Sequence, residues 1–299
     1  MTDTILRAVD EKGCFRFHFA KTTDVVEELR RLHECSPTAT AAMGRAATIT
    51  AMLGMDLKSE GESITLQIRG DGPGSPVIAV CDRPGTVRCS SGNPSVDVAS
   101  RPDGHLDVGA WIGRDGQLAV IKGYELKDPF VGITELCSGE IAEDVAHYFY
   151  YSEQTPTVVM LGVLVERDRS CAASGGLLIQ ALPDADDADL QKMQEAVDQL
   201  PPVSELIQRG ENPASILTHF FSAFAPRILD ETEVRYECSC SREKMERVLA
   251  SLPGKDVVEM AEEDGGAEIV CQFCNKKYPF SAEELMALPN VRTNEEMKP

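Results

Sequence analysis

The feature that most constrains the fold of this 299-residue chain is a set of four cysteines near its C-terminal end. Cys238-Ser239-Cys240 and Cys271-Gln272-Phe273-Cys274 form a C-x-C and a C-x-x-C pair separated by thirty residues. Thiol pairs this close make tight knuckles, and a loop that folds back between them can present four sulfurs to one tetrahedral Zn²⁺. Thiolate is also the oxidisable form of cysteine, so the same four atoms can hold a metal or form two disulfides. Four thiolates close a coordination shell, whereas a catalytic zinc keeps one position open for water. The pattern therefore points away from zinc catalysis. His219, the nearest histidine before the cluster, reads as a packed or partly exposed residue and not as a ligand.

Charge removes a second class. Cys₄ modules often bind nucleic acid, but such binding relies on basic residues that displace counterions from phosphates. Here Asp and Glu outnumber Lys and Arg 49 to 29, for a net charge of −20. The short basic clusters Arg30-Arg31 and Lys276-Lys277 read as solvated surface. With 42% hydrophobic and 26% charged residues the composition is that of an ordinary globular protein. No run approaches the roughly 18 apolar residues of a membrane span. The start, Met1-Thr2-Asp3-Thr4, lacks the basic and apolar regions of a signal peptide, so a cytoplasmic location is expected, with neither nucleic acid nor membrane as partner. Ten cysteines in such a chain are expected to be mostly reduced at rest.

Hydrophobic periodicity divides the chain into three parts and gives an α+β class: an N-terminal mixed α/β domain (1–182), a helical linker (183–233) and a small C-terminal Cys₄ zinc-binding domain (234–299). In the first part Cys14 to Ala20 (CFRFHFA) alternates like a half-buried strand. Helices are predicted over Thr23 to His33, Thr38 to Leu57 and Ile141 to Tyr151. Strands are predicted over Ser63 to Arg69, Val77 to Cys81, Thr86 to Cys89, Leu118 to Ile121, Val158 to Val165 and Leu177 to Ala181. After Pro183 the sequence turns acidic and helical, broken by prolines. Leu190, Met193, Val197 and Leu200 form one stripe, Leu206 and Ile207 follow, and Ile216, Leu217, Phe220, Phe221 and Phe224 form a strongly apolar face. Such short helices cannot bury these faces by themselves and must dock on a neighbour. In the last part Ser241 is a predicted N-cap, a hairpin is expected around the second knuckle, Ser281 to Glu284 reads as a capping box, and the polar tail from Asn290 is expected to fray.

Other chemistry finds little footing. There is no G-x-S-x-G elbow, no H-E-x-x-H and no Walker-type loop. The glycine-rich Gly70 to Gly74 stretch (GDGPG) reads as a hairpin connection, not a phosphate cradle. Cys14 and Cys81 lie in apolar strands and read as small buried hydrophobes, whereas Cys89, beside Arg88 and turn residues, is expected to be exposed and reactive.

Taken in order, Gly139 to Asp144 (GEIAED), Tyr151 to Gln154 (YSEQ), Leu161 to Val163 (LGV), Ala173 to Gly176 (ASGG), Ile179 to Pro183 (IQALP), the C-x-C, and Phe273 to Tyr278 (FCNKKY) span most of the chain. With this ordered set the chain resembles the heat shock protein 33 family of redox-regulated chaperones. Cys89 departs from the pattern, which usually has glycine after the arginine, and the additional cysteines leave side reactions under oxidation open. The resemblance implies a non-enzymatic holdase. It implies one Zn²⁺ per chain in the reduced, inactive state, held by Cys238, Cys240, Cys271 and Cys274. Oxidation by hypochlorous acid, or by peroxide with heat, then forms two disulfides, expels zinc and unfolds the zinc domain and linker. The oxidised protein is expected to be a homodimer that holds unfolding clients until thiol-reducing systems and an ATP-dependent foldase release them.

Within that scheme, pairing as Cys238–Cys240 and Cys271–Cys274 closes short loops and needs no folded module. The residue range 236–288 has a thin expected core of Met245, Val248, Leu249, Leu252, Ile269, Val270, Phe273, Tyr278, Phe280 and Leu285, so metal loss should unfold it. The freed Ile216 to Phe224 face is the expected client-binding surface. Two other readings compete. One is a chaperone or adaptor with constitutive zinc. The other is a C-x-x-C thiol oxidoreductase, against which the missing βαβ context around Cys271 counts.

Overall fold

A computed structural model of the chain describes residues 2–124 and 127–291. It divides into two compact units, the first ending at Glu237 and the second starting at Cys238.

The first unit begins with β1 (Thr4–Val9) and β2 (Phe15–Lys21), followed by α1 (Thr23–His33) and α2 (Pro37–Gly54). The Ser36 side chain caps α2 by accepting from the Ala39 amide, and Pro37 stands in the first turn, where its missing N–H costs nothing. Then come β3 (Ser63–Arg69), β4 (Val77–Cys81), β5 (Thr86–Ser91), α3 (Val108–Ile112), β6 (Gln117–Tyr124), β7 (Lys127–Glu135), α4 (Ala142–Tyr151), β8 (Thr157–Val165) and β9 (Cys171–Ala181). The acidic, proline-broken stretch supplies α5 (Asp187–Val197), α6 (Val203–Gln208) and α7 (Pro213–Phe220), a 3₁₀ turn at Ser222–Phe224, and two strands, β10 (Arg227–Glu233) and β11 (Arg235–Tyr236).

Two sheets result, in the orders β10-β1-β2-β9-β8 and β11-β5-β4-β3-β6-β7. Helix α2 is rich in Ala, Thr and Met and is buried on nearly every side, which suits a helix packed against both sheets. Its cluster gathers Ala20 and Leu178 from the first sheet and Leu66, Ile68, Val77, Ala79 and Val120 from the second. The opposite face of the first sheet carries Phe15, Phe17, Phe19, Leu177 and Ile179, and α5, α6 and α7 cover it. Strand β2 is therefore buried on both faces, where its alternation predicted burial on one.

The GDGPG stretch joins β3 to β4 as an antiparallel connection. Its glycines serve packing: Gly72 and Gly74 donate to the Ile112 and Trp111 carbonyls at 2.8 and 3.0 Å. A Cβ at Gly74 would stand 2.1 Å from the Trp111 ring. Sequence reading missed β1, β7, α3 and β10. Strand β10 ends the acidic segment as an antiparallel partner of β1, from Thr4↔Glu233 to Val9↔Arg227, with a register shift at Arg7/Ala8. Its residues lack helical spacing, and the open edge of β1 decides their conformation.

The second unit comprises α8 (Arg242–Ala250), α9 (Gly254–Glu263), the hairpin β12 (Gly266–Val270) and β13 (Lys277–Ser281), and α10 (Ala282–Met286). Ser241 caps α8 and the Ser281/Glu284 box caps α10, as predicted. The core holds Leu249, Tyr278, Phe280 and Leu285 as expected, and adds Val257, Ala261, Leu288 and Val291. Val248 and Val270, expected inside, are about half exposed. Asn290 donates to the Leu249 and Leu252 carbonyls at 3.1 and 2.9 Å, so the packed body extends past the expected start of the tail. The tail beyond Val291 lies outside the described residues.

Candidate metal centre and the docked helical segment

Each cysteine pair is held by local backbone chemistry. The first knuckle leads into α8, whose Ser241 cap accepts from the Lys244 amide at 3.3 Å, while Lys244 Nζ reaches back to the Ser239 carbonyl at 2.6 Å. The second lies between β12 and β13, bracketed by the Val270↔Lys277 pair. It is closed by Cys271 N to the Lys276 carbonyl at 3.0 Å and Asn275 N to the Cys271 carbonyl at 2.8 Å. Asn275 has φ 56°, a left-handed conformation that asparagine tolerates better than most residues.

The four sulfurs of Cys238, Cys240, Cys271 and Cys274 lie within 4.8 Å of one another. Cys238 Sγ is 3.6 Å from Cys271 Sγ, and Cys240 Sγ is 3.4 Å from Cys274 Sγ. A tetrahedral ion with metal–sulfur bonds of about 2.3 Å requires edges of about 3.8 Å, so these residues fit such an ion with minor adjustment. All pairs are close, so proximity alone does not select a disulfide pairing. The thiols differ in character. Burial and the neighbouring thiols hold Cys238 well above its ordinary range, and burial raises Cys274 to about 11. Burial also acts against ionisation of Cys240, but hydrogen bonds from Tyr278 and the other thiols outweigh it and bring Cys240 down to about 7. The Tyr278 hydroxyl stands 3.1 Å from Cys240 Sγ. Sequence reading placed Tyr278 in the core and missed its polar end; the only signal was a tyrosine at an inward-facing position.

The predicted apolar face is docked within the first unit. Ile216, Leu217, Phe221 and Phe224 are buried and Phe220 is partly buried. The Phe221 ring meets Phe17 and Phe19 edge-on at 5.5 and 5.7 Å, and Phe224 meets Phe15 at 5.7 Å. Lys192 Nζ lies 4.6 Å from the Phe224 ring centroid and donates to the Ala223 carbonyl at 2.9 Å. The receiving face of Phe15, Phe17 and Phe19 was legible only as the F-x-F-x-F alternation of β2. His219 is exposed and pairs with Glu211 at 3.4 Å.

The expectation for Cys89 is overturned. It is fully buried in the α2 cluster, and desolvation pushes its thiol far up. Its backbone N–H and carbonyl both bond the Tyr236 hydroxyl, at 3.4 and 3.1 Å. Cys14 and Cys81 are buried, as expected, and Cys137 is the exposed cysteine outside the knuckles.

Fold and site together define an α+β protein that ends in a four-thiol module able to hold a metal ion. The family model described as Hsp33 protein matches residues 3–281, and the chain belongs to the Hsp33 family of chaperones. The 33 kDa chaperonin of Clostridioides difficile (strain 630) is 42% identical over 288 residues, covering 96% of this chain and 99% of that protein. The 33 kDa chaperonin of Clostridium botulinum (strain Alaska E43 / Type E3) is 43% identical over 285 residues, covering 95% and 97%. The crystal structure of the Thermotoga maritima 33 kDa chaperonin, a heat shock protein 33 homologue, superposes with a TM-score of 0.89 at 34% identity over 99% of this chain and 100% of that one. Among the described residues no helix is long and apolar enough to cross a membrane.

Proposed function

We propose that this chaperone is a redox-regulated holdase without enzymatic turnover, switched by its four knuckle cysteines. The observation that carries the reading is the docked aromatic face: Phe221 and Phe224 lie against Phe15, Phe17 and Phe19, so releasing the helices uncovers two apolar surfaces at once. Contiguous apolar surface of this kind binds unfolded chains. The working division is a client-binding domain (1–182), a sensitive linker (183–233) and a zinc module (234–299). Bound at Cys238, Cys240, Cys271 and Cys274, one Zn²⁺ per chain supplies the cross-link that folds a module with a small core of its own.

Oxidation joins Cys238 to Cys240 and Cys271 to Cys274. Four thiolates lose four electrons, two equivalents of a two-electron oxidant take them up, and the sulfurs can no longer ligate. The module then opens, and the acidic linker, whose like charges already disfavour compactness, follows. Ile216, Leu217, Phe220, Phe221 and Phe224 become available to clients. The oxidised protein works as a homodimer in the cytoplasm, where thiol-reducing systems reset it and an ATP-dependent foldase takes over the client.

The test measures zinc release and suppression of a denatured enzyme's aggregation on one sample, before and after hypochlorous acid. Zinc release with a gain of holdase activity is expected. Full holdase activity with zinc retained would overturn the switch and favour a constitutive zinc chaperone.

A further inference from the structure

Helix α5 covers the first sheet incompletely. Met193 alone of its side chains is buried, and beside it lies a cavity of about 480 Å³. Three elements wall this space. The floor is the sheet face that carries Phe15, Val158 and Ile179. One wall is α4, which lines the cavity with His147, Tyr150 and Tyr151 at helical spacing. The other is α5, through Leu190, Met193 and Gln194 at the same spacing. The rings of the α4 wall lie against one another, His147 and Tyr151 with centroids 4.4 Å apart and Tyr150 and Tyr151 edge-on at 5.0 Å. Both tyrosines are exposed, so a rim of aromatic rings stands open to solvent beside an apolar floor.

Charge decides what such a space can take. Among the described residues no carboxylate, ammonium or guanidinium side chain lines it. In a chain of net charge −20 this is a local property, since a second cavity of about 340 Å³ in the same unit is lined by Arg16, Asp56, Lys122 and Glu153. Two of the polar groups in the wall are already paired with their own neighbours. Gln194 Nε2 donates to Asp198 at 2.7 Å, and the Thr157 hydroxyl to the Thr155 carbonyl at 2.9 Å. A charged ligand would lose its hydration here with nothing to replace it, whereas ring faces and apolar walls favour an uncharged aromatic one. The volume falls within the range of small-molecule sites.

We propose that this cavity is a binding site for a flat, uncharged aromatic molecule, and that the bound molecule clamps α5 in its docked position. The clamp follows from the walls. A ligand that touches α4, the sheet and α5 together finds all its contacts only while α5 is docked, so it stabilises that state by mass action. Met193, unbranched and adaptable, lets the α5 wall close on rings of different outline. The site stands without the redox reading above, whereas its consequence for the holdase, a cover that is harder to release, rests on that reading.

The experiment uses the full-length, reduced, metal-loaded chain with no oxidant present. The probes are 2-naphthol, uncharged at neutral pH, and naphthalene-2-sulfonate, which carries the same rings with a fixed negative charge. Titration calorimetry should give one 2-naphthol per chain with a Kd on the order of 0.1 mM, and binding of the sulfonate weaker by about tenfold or more. Ala146→Trp, which fills the cavity from the α4 side, should weaken 2-naphthol binding by about tenfold or more. If that variant folds poorly, Gln194→Trp blocks the cavity from an exposed position on α5. With 2-naphthol held at about four times its Kd, the Leu190 amide, bonded to the Asp186 carbonyl at 3.0 Å, should exchange about fivefold more slowly. The Gly104 amide, bonded to the Arg101 carbonyl at 2.9 Å in a turn away from α5, should keep its rate. No saturable 2-naphthol binding, equal affinity for the sulfonate, or full affinity in the filled variants would overturn the site. Saturable binding that leaves Leu190 exchange unchanged would overturn the clamp. A protein that passes these tests yet gains no holdase activity under oxidant would sink the redox reading and leave the site standing.

Discussion

Replacing Phe221 by alanine should release the docked helical segment without any oxidant. Phe221 is fully buried, its ring edge-on to Phe17 and Phe19 at 5.5 and 5.7 Å and 6.3 Å from Phe224. Truncating a buried phenylalanine costs about 3–5 kcal/mol, the upper end applying where the cavity cannot collapse. Here the cavity is walled by a sheet face, which yields little. A loss of about 4 kcal/mol multiplies the population of the undocked state roughly a thousandfold. Phe220, on the same helix but only partly buried, is the internal control; Phe220→Ala should cost well under half as much. The assay is native-state hydrogen exchange on the reduced, metal-loaded protein. The Ile216 amide, bonded to the Asn212 carbonyl at 3.0 Å, should exchange roughly a thousandfold faster in Phe221→Ala, while the Leu66 amide in β3 keeps its protection. The same variant should suppress client aggregation while still reduced. If Ile216 keeps its wild-type protection, or loses it only in step with Leu66, the segment is not a separately releasable cover and the argument fails.

Three further outcomes follow from the same structure. Chelating the metal under reducing conditions should remove the helical signal of the second unit, because about 10–16 kcal/mol of binding energy exceeds or matches the net stability of a typical domain. The single tryptophan, Trp111, is buried in the first unit and should keep its native emission; retained helicity of the second unit would refute the point. The first unit should lose stability as pH falls from about 6.5 towards 4. Desolvation depresses buried His18 from 6.5 to about 4, with Asp56 and Asp230 opposing it and Arg16 and Arg7 reinforcing it, so the unfolded chain binds the extra proton in that window. Denaturant melts should show a loss of order 3 kcal/mol that His18→Phe flattens, and an unchanged slope would refute it. Asp144→Ala should destabilise the first unit by about 3–5 kcal/mol, read by urea titration. The buried Asp144 carboxylate accepts from the amides of Cys137, Ser138, Gly139 and Ile141 at 2.8, 3.0, 3.3 and 2.9 Å, and a loss below about 1 kcal/mol would mean that water replaces it.

What could be read in the sequence follows where the signal is stored. Helix α1 and strands β3 and β4 carry their own periodicity and turn residues, and the observed ends coincide with the expected ones. The knuckles were legible because ligand spacing is itself local. Strands β1 and β7 went unread although each pairs with a neighbouring strand, β2 and β6, and β10 was not legible since its conformation comes from pairing with β1 at the far end of the first unit's sequence. The burial of β2 on both faces was hidden for the same reason. Alternation records one buried face, but the second is created by the helical segment that arrives much later in the chain, as in the contact of Phe224 with Phe15. Only the helices' own stripes, such as Leu190 and Met193, announced that they needed something to cover.

Cysteine reactivity was the least legible property, and the reason bears on how selective the proposed switch can be. Spacing marks which thiols can share a metal, but not which thiols an oxidant can reach. Cys89 had turn residues beside it and was expected to react, yet β5 buries it against α2 and desolvation holds it protonated. Desolvation likewise pushes Cys35 and Cys171 up to about 12 and Cys81 to about 11. Cys137 is exposed, but desolvation and the facing Asp144 carboxylate raise it to about 11 as well. Thiolate is the reactive form, so each of these cysteines is protected by its surroundings. At the knuckles the balance runs the other way for Cys240, because the converging donors outweigh its burial. Cys238 and Cys274 are themselves raised, so ionisation alone does not set the four knuckle thiols apart from the rest; their gathering around one point does. The first unit restrains its thiols by desolvation, at Cys137 with the help of the Asp144 carboxylate, and the second gathers its four within reach of one metal ion.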